Sequence, residues 1–349
     1  MALVVTALLG AGSGAAFAAE AGEPAGARTA VSGEVADASA AEARRLALMR
    51  ASNAVVGVEV TAVAQARSIA TLGRSRRGSG VVIGDDGLVL TIGYLILEAD
   101  HTDLVLDDGR RIPARVVAYD APTGFGLLQS LAPLALPTVR LGDSSALSAA
   151  QPLLVVSGGK GGDLGVAQLV SRRPFSGTWE YHIDDALFTA PARDHHSGAG
   201  LFNIDGELVG IGSLIVGNAA GPDAPPRRGN MFVPVSLLGP ILDELRKPGA
   251  APRRRPWLGI NCVEFEGHIR VLRTSADGPA EAAGLRSGDT IVAIDGTAVS
   301  DLASFYRALW ADGRPDREVA LDVRRAGETR RVSVQAVDRQ SMLRRPEGV

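Results

Sequence analysis

Between residues 53 and 235 the apolar residues come in short runs, and small polar turns break them up. The runs include Val55-Val56-Gly57-Val58-Glu59-Val60, Gly80-Val81-Val82-Ile83, Leu88-Val89-Leu90 and Leu153-Leu154-Val155-Val156. Between such runs stand Gly84-Asp85-Asp86-Gly87, Asp107-Asp108-Gly109 and Asp205-Gly206. Regular short strands with turns of this type predict an all-β barrel or sandwich. Residues 237–246 predict one helical segment that closes the domain. Residues 257–338 then change pattern, mixing strands at 268–272 and 290–294 with a short helix near 280–283 and a longer one at 302–311. A unit of about eighty residues suits one small α+β domain. Residues 247–256, rich in Pro and Arg, form a linker, and Arg253, Arg254 and Arg255 read as a solvated hinge. Upstream, residues 39–51 predict a short helix, while residues 20–38 lack apolar periodicity and read as a flexible linker. The tail at 339–349 is polar and reads as frayed.

Composition narrows this picture only slightly. The 349 residues leave room for two domains. A chain that is 46% hydrophobic and 21% charged is a folded one, and a net charge of -3 gives no pull toward nucleic acid. The single cysteine, Cys262, has no partner for an internal disulfide and lies in an apolar run, so it reads as a buried, inert thiol. Residues 1–19 read as a signal peptide, with an apolar stretch at 2–9 and an A-x-A site at Ala16-Phe17-Ala18. No Lys or Arg precedes that stretch. The alternative is an uncleaved N-terminal membrane anchor, which the glycines disfavour, since a span needs ~20 apolar residues.

Three windows carry the candidate chemistry. They are Leu90-Thr91-Ile92-Gly93-Tyr94-Leu95-Ile96, Asp120-Ala121-Pro122-Thr123-Gly124-Phe125, and His195-His196-Ser197-Gly198-Ala199-Gly200. In order and without internal gaps, they resemble the three catalytic windows of trypsin-like serine proteases of the HtrA (high-temperature-requirement) type. Gly78-Ser79-Gly80-Val81-Val82-Ile83, at the start of the barrel, and Asn203-Ile204-Asp205-Gly206-Glu207-Leu208 fit the same family. Gly278-Pro279-Ala280-Glu281-Ala282-Ala283-Gly284-Leu285 is similar to its PDZ domain. The resemblance covers residues 53–338. It implies a mostly β fold, with a two-barrel trypsin-like domain at 39–246 followed by a PDZ domain at 257–338.

The resemblance also locates what is missing. A serine hydroxyl needs a base to take its proton and a carboxylate to orient that base. The nucleophile position holds Ser197, the base position Tyr94 and the acid position Gly124. A phenol with a pKa of about 10 is a poor base at neutral pH, and glycine orients nothing. His195 fills the oxyanion-hole position, where the family has glycine. Ser197 therefore reads as a relic nucleophile. Two rewired alternatives remain. In one, His195 or His196 acts as a new base, although adjacent residues seldom align for this. In the other, Asp194, His195, His196 and His182 hold a metal, although neighbouring histidines seldom share one ion. The expectation is no metal and no cofactor.

The PDZ resemblance implies binding of extended C-terminal peptides, with their carboxylate held by backbone amides of the loop Trp257-Leu258-Gly259-Ile260. Phe305 and Leu309, four apart on the longer helix, are candidates for the opposite wall or for plain core. The implied partners are peptide or protein C-termini and unfolded envelope proteins. The implied assembly is a homo-oligomer or a hetero-assembly with an active homologue. The resulting expectation is an exported pseudoprotease acting as adaptor, sensor or chaperone, with a weak endopeptidase using Ser197 as the alternative.

Overall fold

The computed structural model describes residues 27–247 and 253–344. The signal-peptide and membrane-anchor expectations for residues 1–19 fall outside the described residues. Among those that are described, no helix is long and apolar enough to cross a membrane.

Helix α1 (Ala27–Asn53) is one continuous helix. It takes in residues 27–38, which the sequence pattern had assigned to a linker. Alanine, the strongest helix former, recurs along this stretch and no proline interrupts it. Propensity rather than an apolar stripe makes this helix, so periodicity alone missed its first half. Its last turns dock through Leu48 and Ala51, both buried in the main core.

Two closed six-stranded barrels follow. The first is β1 (Val55–Ala62), β2 (Ser75–Val82), β3 (Leu88–Ile92), β4 (Ala99–Val105), β5 (Arg111–Asp120) and β6 (Phe125–Ser130), closed in the order β1-β2-β3-β6-β5-β4. A four-residue helix, α2 (Ile69–Leu72), precedes β2, and another, α3 (Gly93–Ile96), follows β3. The second barrel is β7 (Pro152–Val156), β8 (Leu164–Gly177), β9 (Tyr181–Ala190), β10 (Gly200–Phe202), β11 (Leu208–Val216) and β12 (Gly229–Pro234), in the order β10-β11-β12-β9-β8-β7. All five residues of β3 are buried, and β3 lies against β11 while β2 lies against β10. Burial on both faces explains why these strands read as unbroken apolar runs rather than alternating ones. Phe125 fills the first barrel, and Phe188, Phe202 and Phe232 fill the second; all four are fully buried. Each such ring contributes about 1.5–3 kcal/mol relative to exposure. Helix α4 (Gly239–Leu245) closes the domain.

The C-terminal unit has a main sheet in the order β14-β15-β16-β18-β19. These strands are β14 (Ile260–Phe265), β15 (His268–Thr274), β16 (Thr290–Ile294), β18 (Glu318–Arg325) and β19 (Glu328–Gln335). Strand β17 (Thr297–Ala298) pairs with β16, and β13 (Pro256–Trp257) with β20 (Val337–Asp338). The unit's helices are α5 (Pro279–Ala282) and α6 (Leu302–Trp310). A capping box between Asp301 and Ser304 starts α6. The helix buries Leu302, Phe305, Tyr306 and Leu309, the spacing of one helical face. Cys262 is buried in this core, and burial pushes its thiol well above the ordinary range, so it is inert.

The two units are tightly joined, and this corrects the reading of the arginines as a solvated hinge. Arg253 forms a two-pronged ion pair with fully buried Asp120, at 3.2 and 2.7 Å. Arg254 lies 3.4 Å from Asp338, and the Arg255 guanidinium stacks 4.3 Å above the Trp310 ring. The tail is also anchored as far as residue 344. Gln340 Nε2 donates to Tyr119 O at 3.2 Å, and the Arg344 amide donates to Glu98 Oε1 at 2.7 Å. Arginine reach and backbone donors tie these segments down, and neither leaves an apolar pattern in sequence.

Candidate functional site

The three windows converge where the barrels meet. Strand β3 ends in Thr91 and Ile92, and the turn into α3 places Tyr94 at this junction. Gly93 makes the turn fit, because a Cβ there would lie 2.3 Å from the Tyr119 ring. The second window is the β5–β6 turn. Asp120 accepts from Thr123 N at 3.0 Å and from Thr123 Oγ1 at 2.6 Å. Gly124 N donates to Asp120 O at 2.8 Å, and Gly124 O accepts from Gly93 N at 2.7 Å, which joins the first two windows. The third window is fixed to β2, since Ser79 N donates to Ser197 O at 2.8 Å. Gly198 has φ +74°, and a Cβ there would lie 2.0 Å from Ser79 O, so only glycine fits.

The structure brings Ser197 and Tyr94 together. The Tyr94 phenol oxygen lies 2.8 Å from Ser197 Oγ and 2.8 Å from Ser213 O. A phenol has one proton and a carbonyl only accepts. The phenol therefore donates to Ser213 O, and the Ser197 hydroxyl donates to the phenol oxygen. Burial pushes the Tyr94 pKa up to about 12, partly offset by the Ser197 bond. At neutral pH the group is a neutral phenol and takes no proton from serine.

At Gly124, where the family resemblance implies the acid, Tyr181 packs close. Gly124 has φ +79°, and a Cβ there would lie 3.0 Å from the Tyr181 hydroxyl. Tyr181, on β9, donates that hydroxyl to Thr123 O at 2.7 Å. Burial pushes its own pKa well above the ordinary range. A side chain at Gly124 would thus press against the Tyr181 ring.

The histidines do not replace the base. His195 is exposed, and its φ lies outside the left-handed region. His196 Nδ1 donates to Asp194 O at 2.9 Å. Among the described residues, the Ser197 hydroxyl bonds Tyr94 and neither histidine. His182 stands on β9, bonded to Ser176 at 2.9 Å and Asp184 at 3.0 Å. No group of three metal-ligating side chains occurs among the described residues.

The Trp257–Ile260 loop turns at Gly259, with φ +79°. Its amides have a partner: Leu258 N and Ile260 N donate to the carboxylate of Glu180, at 3.1 and 3.3 Å. Leu258 and Ile260, with Phe305 and Leu309, are buried in the core of this unit. From the helix, the Tyr306 hydroxyl donates to Gly177 O at 2.7 Å, and Arg307 reaches Asp184 on β9 at 2.9 Å. Glu180, Tyr181, Ser213 and Tyr306 carried no sequence signal, because each meets its partner across more than 50 residues of chain.

Residues 78–211 match the family description "Trypsin-like peptidase domain", and residues 256–336 match "PDZ domain". The chain is 30% identical over 284 residues to a "Probable periplasmic serine endoprotease DegP-like" of Halomonas elongata, covering 76% of this chain and 57% of that protein. It is 31% identical over 266 residues to the protein of the same name from Marinomonas sp., covering 71% and 55%. The chain thus spans about half the length of these relatives. Among solved structures it resembles "HtrA-type protease AlgW with decapeptide" with TM-score 0.53 at 22% identity, covering 85% of this chain and 98% of that one. It also resembles the serine endoprotease from Yersinia pestis with TM-score 0.51 at 24% identity, covering 84% and 97%. The chain is a trypsin-like peptidase domain joined to a PDZ domain, and belongs with the HtrA-type proteins.

Proposed function

We propose that this chain is an exported pseudoprotease of the HtrA type that binds C-terminal or unfolded peptide segments through its PDZ domain. The observation that carries the reading is the Tyr94 phenol hydrogen-bonded to Ser197 where a base must stand. Gly124 beneath the Tyr181 ring supports it. The names of the relatives support a periplasmic location. With the nucleophile idle, peptide binding serves an adaptor, sensor or chaperone role toward envelope proteins, as a homo-oligomer or beside an active homologue.

The test of inactivity is labelling with a serine-reactive fluorophosphonate. The expected result is none. Labelling of the wild type that disappears in Ser197→Ala would overturn the reading and leave a weak endopeptidase with an unusual base. Calorimetry with hydrophobic peptides tests the binding half, and periplasmic fractionation tests the location.

A further inference from the structure

The β8–β9 hairpin enters the PDZ groove. The Cys262 amide, on β14, donates to Thr178 O at 2.8 Å, the kind of bond an added strand makes. Two residues on, the Glu180 carboxylate takes the Leu258 and Ile260 amides, with the Gly259 amide also facing it. From the helix side, the Tyr306 hydroxyl donates to Gly177 O at 2.7 Å and accepts from Glu180 N at 3.1 Å. Strand edge, carboxylate loop and helix are thus all engaged by one stretch of residues, 177–180.

We propose that this hairpin is an internal ligand of the PDZ groove. Glu180 stands in for a peptide's terminal carboxylate, and a free C-terminus binds only by displacing it. This rests on the peptide-binding reading above. Three features separate it from an ordinary domain contact. First, the amides it uses are those that a bound carboxylate would need. Second, Glu180 holds φ +57°, a conformation uncommon for a side-chain-bearing residue, and the strained backbone aims the carboxylate into the loop. Third, Glu180 is only 9% exposed as a whole residue, and a buried carboxyl without donors is strongly disfavoured. Within the hairpin, Trp179 stacks on Tyr181 with ring centroids 5.8 Å apart, and Trp179 packs against the barrel core. Glu180 and Tyr181 are adjacent, so one hairpin fills both the carboxylate loop and the acid position. The proposed partner is therefore an extended peptide with a free carboxylate and apolar last residues, strong enough to replace a tethered competitor.

The test uses the full chain and a fluorescein-labelled decapeptide ending in two apolar residues, with a free or an amidated C-terminus. Apparent affinity scales with the fraction of protein whose groove is open. Glu180→Ala is expected to bind the free-carboxylate peptide about tenfold or more tightly than wild type, and the amidated peptide is expected to bind more weakly than the free one in every form. Tyr306→Phe, which keeps the ring but loses both hairpin bonds, should move affinity the same way by a smaller factor. Equal affinity in wild type and both variants would overturn internal occupancy while leaving peptide binding intact. If no form binds peptide, hydrogen exchange decides. Amides of Leu258, Ile260 and Cys262 protected in wild type and released about tenfold or more in Glu180→Ala would uphold the internal ligand. Unchanged protection would sink it. That last readout is independent of whether an external peptide binds.

Discussion

The serine site and the PDZ loop are both capped by side chains of the chain itself, but in different ways. On the proposed reading, the cap at Ser197 stands in for missing parts: the Tyr94 phenol bonds Ser197 at the base position, and Tyr181 packs against Gly124 at the acid position. At the PDZ loop nothing is missing. The amides of Leu258 and Ile260 are present and correctly turned, and they are engaged by Glu180. The first site would need rewriting, whereas the second needs only displacement. A protein with both would keep a protease scaffold as the holder of a regulated groove.

The strongest way to break this comparison is to put the catalytic parts back. Tyr94→His with Gly124→Asp is expected to remain unlabelled by fluorophosphonate and to lose about 2–5 kcal/mol of stability. A side chain at φ +79° costs about 1–2 kcal/mol, and overpacking against the Tyr181 hydroxyl costs about 1–3 more. Urea denaturation reads the stability. Robust labelling of this double variant at unchanged stability would mean that the space is not truly filled.

A milder change sharpens the same side. Tyr94→Phe keeps the ring and removes the hydroxyl shared by Ser197 and Ser213 O. The expected loss is about 1–2 kcal/mol, because the carbonyl of buried Ser213 is left short of a donor. Labelling should stay absent. If Tyr94→Phe gained labelling, the phenol would be a lock on a working serine rather than a substitute for its base.

Much of this was legible in the sequence, for reasons that can be named. Strand runs and Gly-Asp turns pointed to a β barrel or sandwich, and the longer helix read at 302–311 is where α6 lies. Tyr94, Gly124 and Ser197 could be placed because each window is continuous in the chain. The hairpin could not. Glu180 faces Leu258 and Tyr181 faces Gly124 only after the chain has closed two barrels, and neither residue type marks a site by itself. Phe305 and Leu309, which the sequence left open between groove wall and core, lie in the core, and the neighbouring Tyr306 and Arg307 reach the hairpin. Helix α1 ran past its forecast start because propensity, not periodicity, holds it. The arginines of the linker looked solvated because their partners, Asp120 and Asp338, lie in other elements.

On the PDZ side, pH offers a graded probe. Burial pushes the Glu180 carboxyl up to about 8, opposed by the Ile260 amide, by Arg339 and by the Leu258 and Gly259 amides. Cys262 on β14 and Tyr306 on α6 also face it, and its charge helps push both of them up. A raised carboxyl favours the docked form when protonated. That contribution is complete below the ordinary value of 4.5 and is lost as pH rises through about 8. An incoming peptide's terminal carboxylate is ionised throughout this window. Wild-type affinity for a free-carboxylate peptide should therefore rise roughly threefold to tenfold between about pH 6 and 9, and Glu180→Ala should show no such slope. A falling affinity over that range would contradict burial of Glu180 as the cost that displacement relieves.

The smallest expected effect separates the carboxylate from the charges around it. Arg307 on α6 reaches Asp184 on β9 at 2.9 Å, across the same interface, and Asp184 also bonds His182. Both ends of this ion pair are open to solvent, at 57% and 77% exposure. Exposed pairs contribute little and are screened by salt. Arg307→Ala is expected to change peptide affinity by less than about twofold, and raising ionic strength should do no more. A tenfold gain in Arg307→Ala, matched by a similar gain in high salt, would transfer the closure of the groove from Glu180 to the surface charges. The PDZ loop would then be uncovered by weakening an interface, not by competition for its amides, and the contrast with the serine site would rest on electrostatics rather than on an internal ligand.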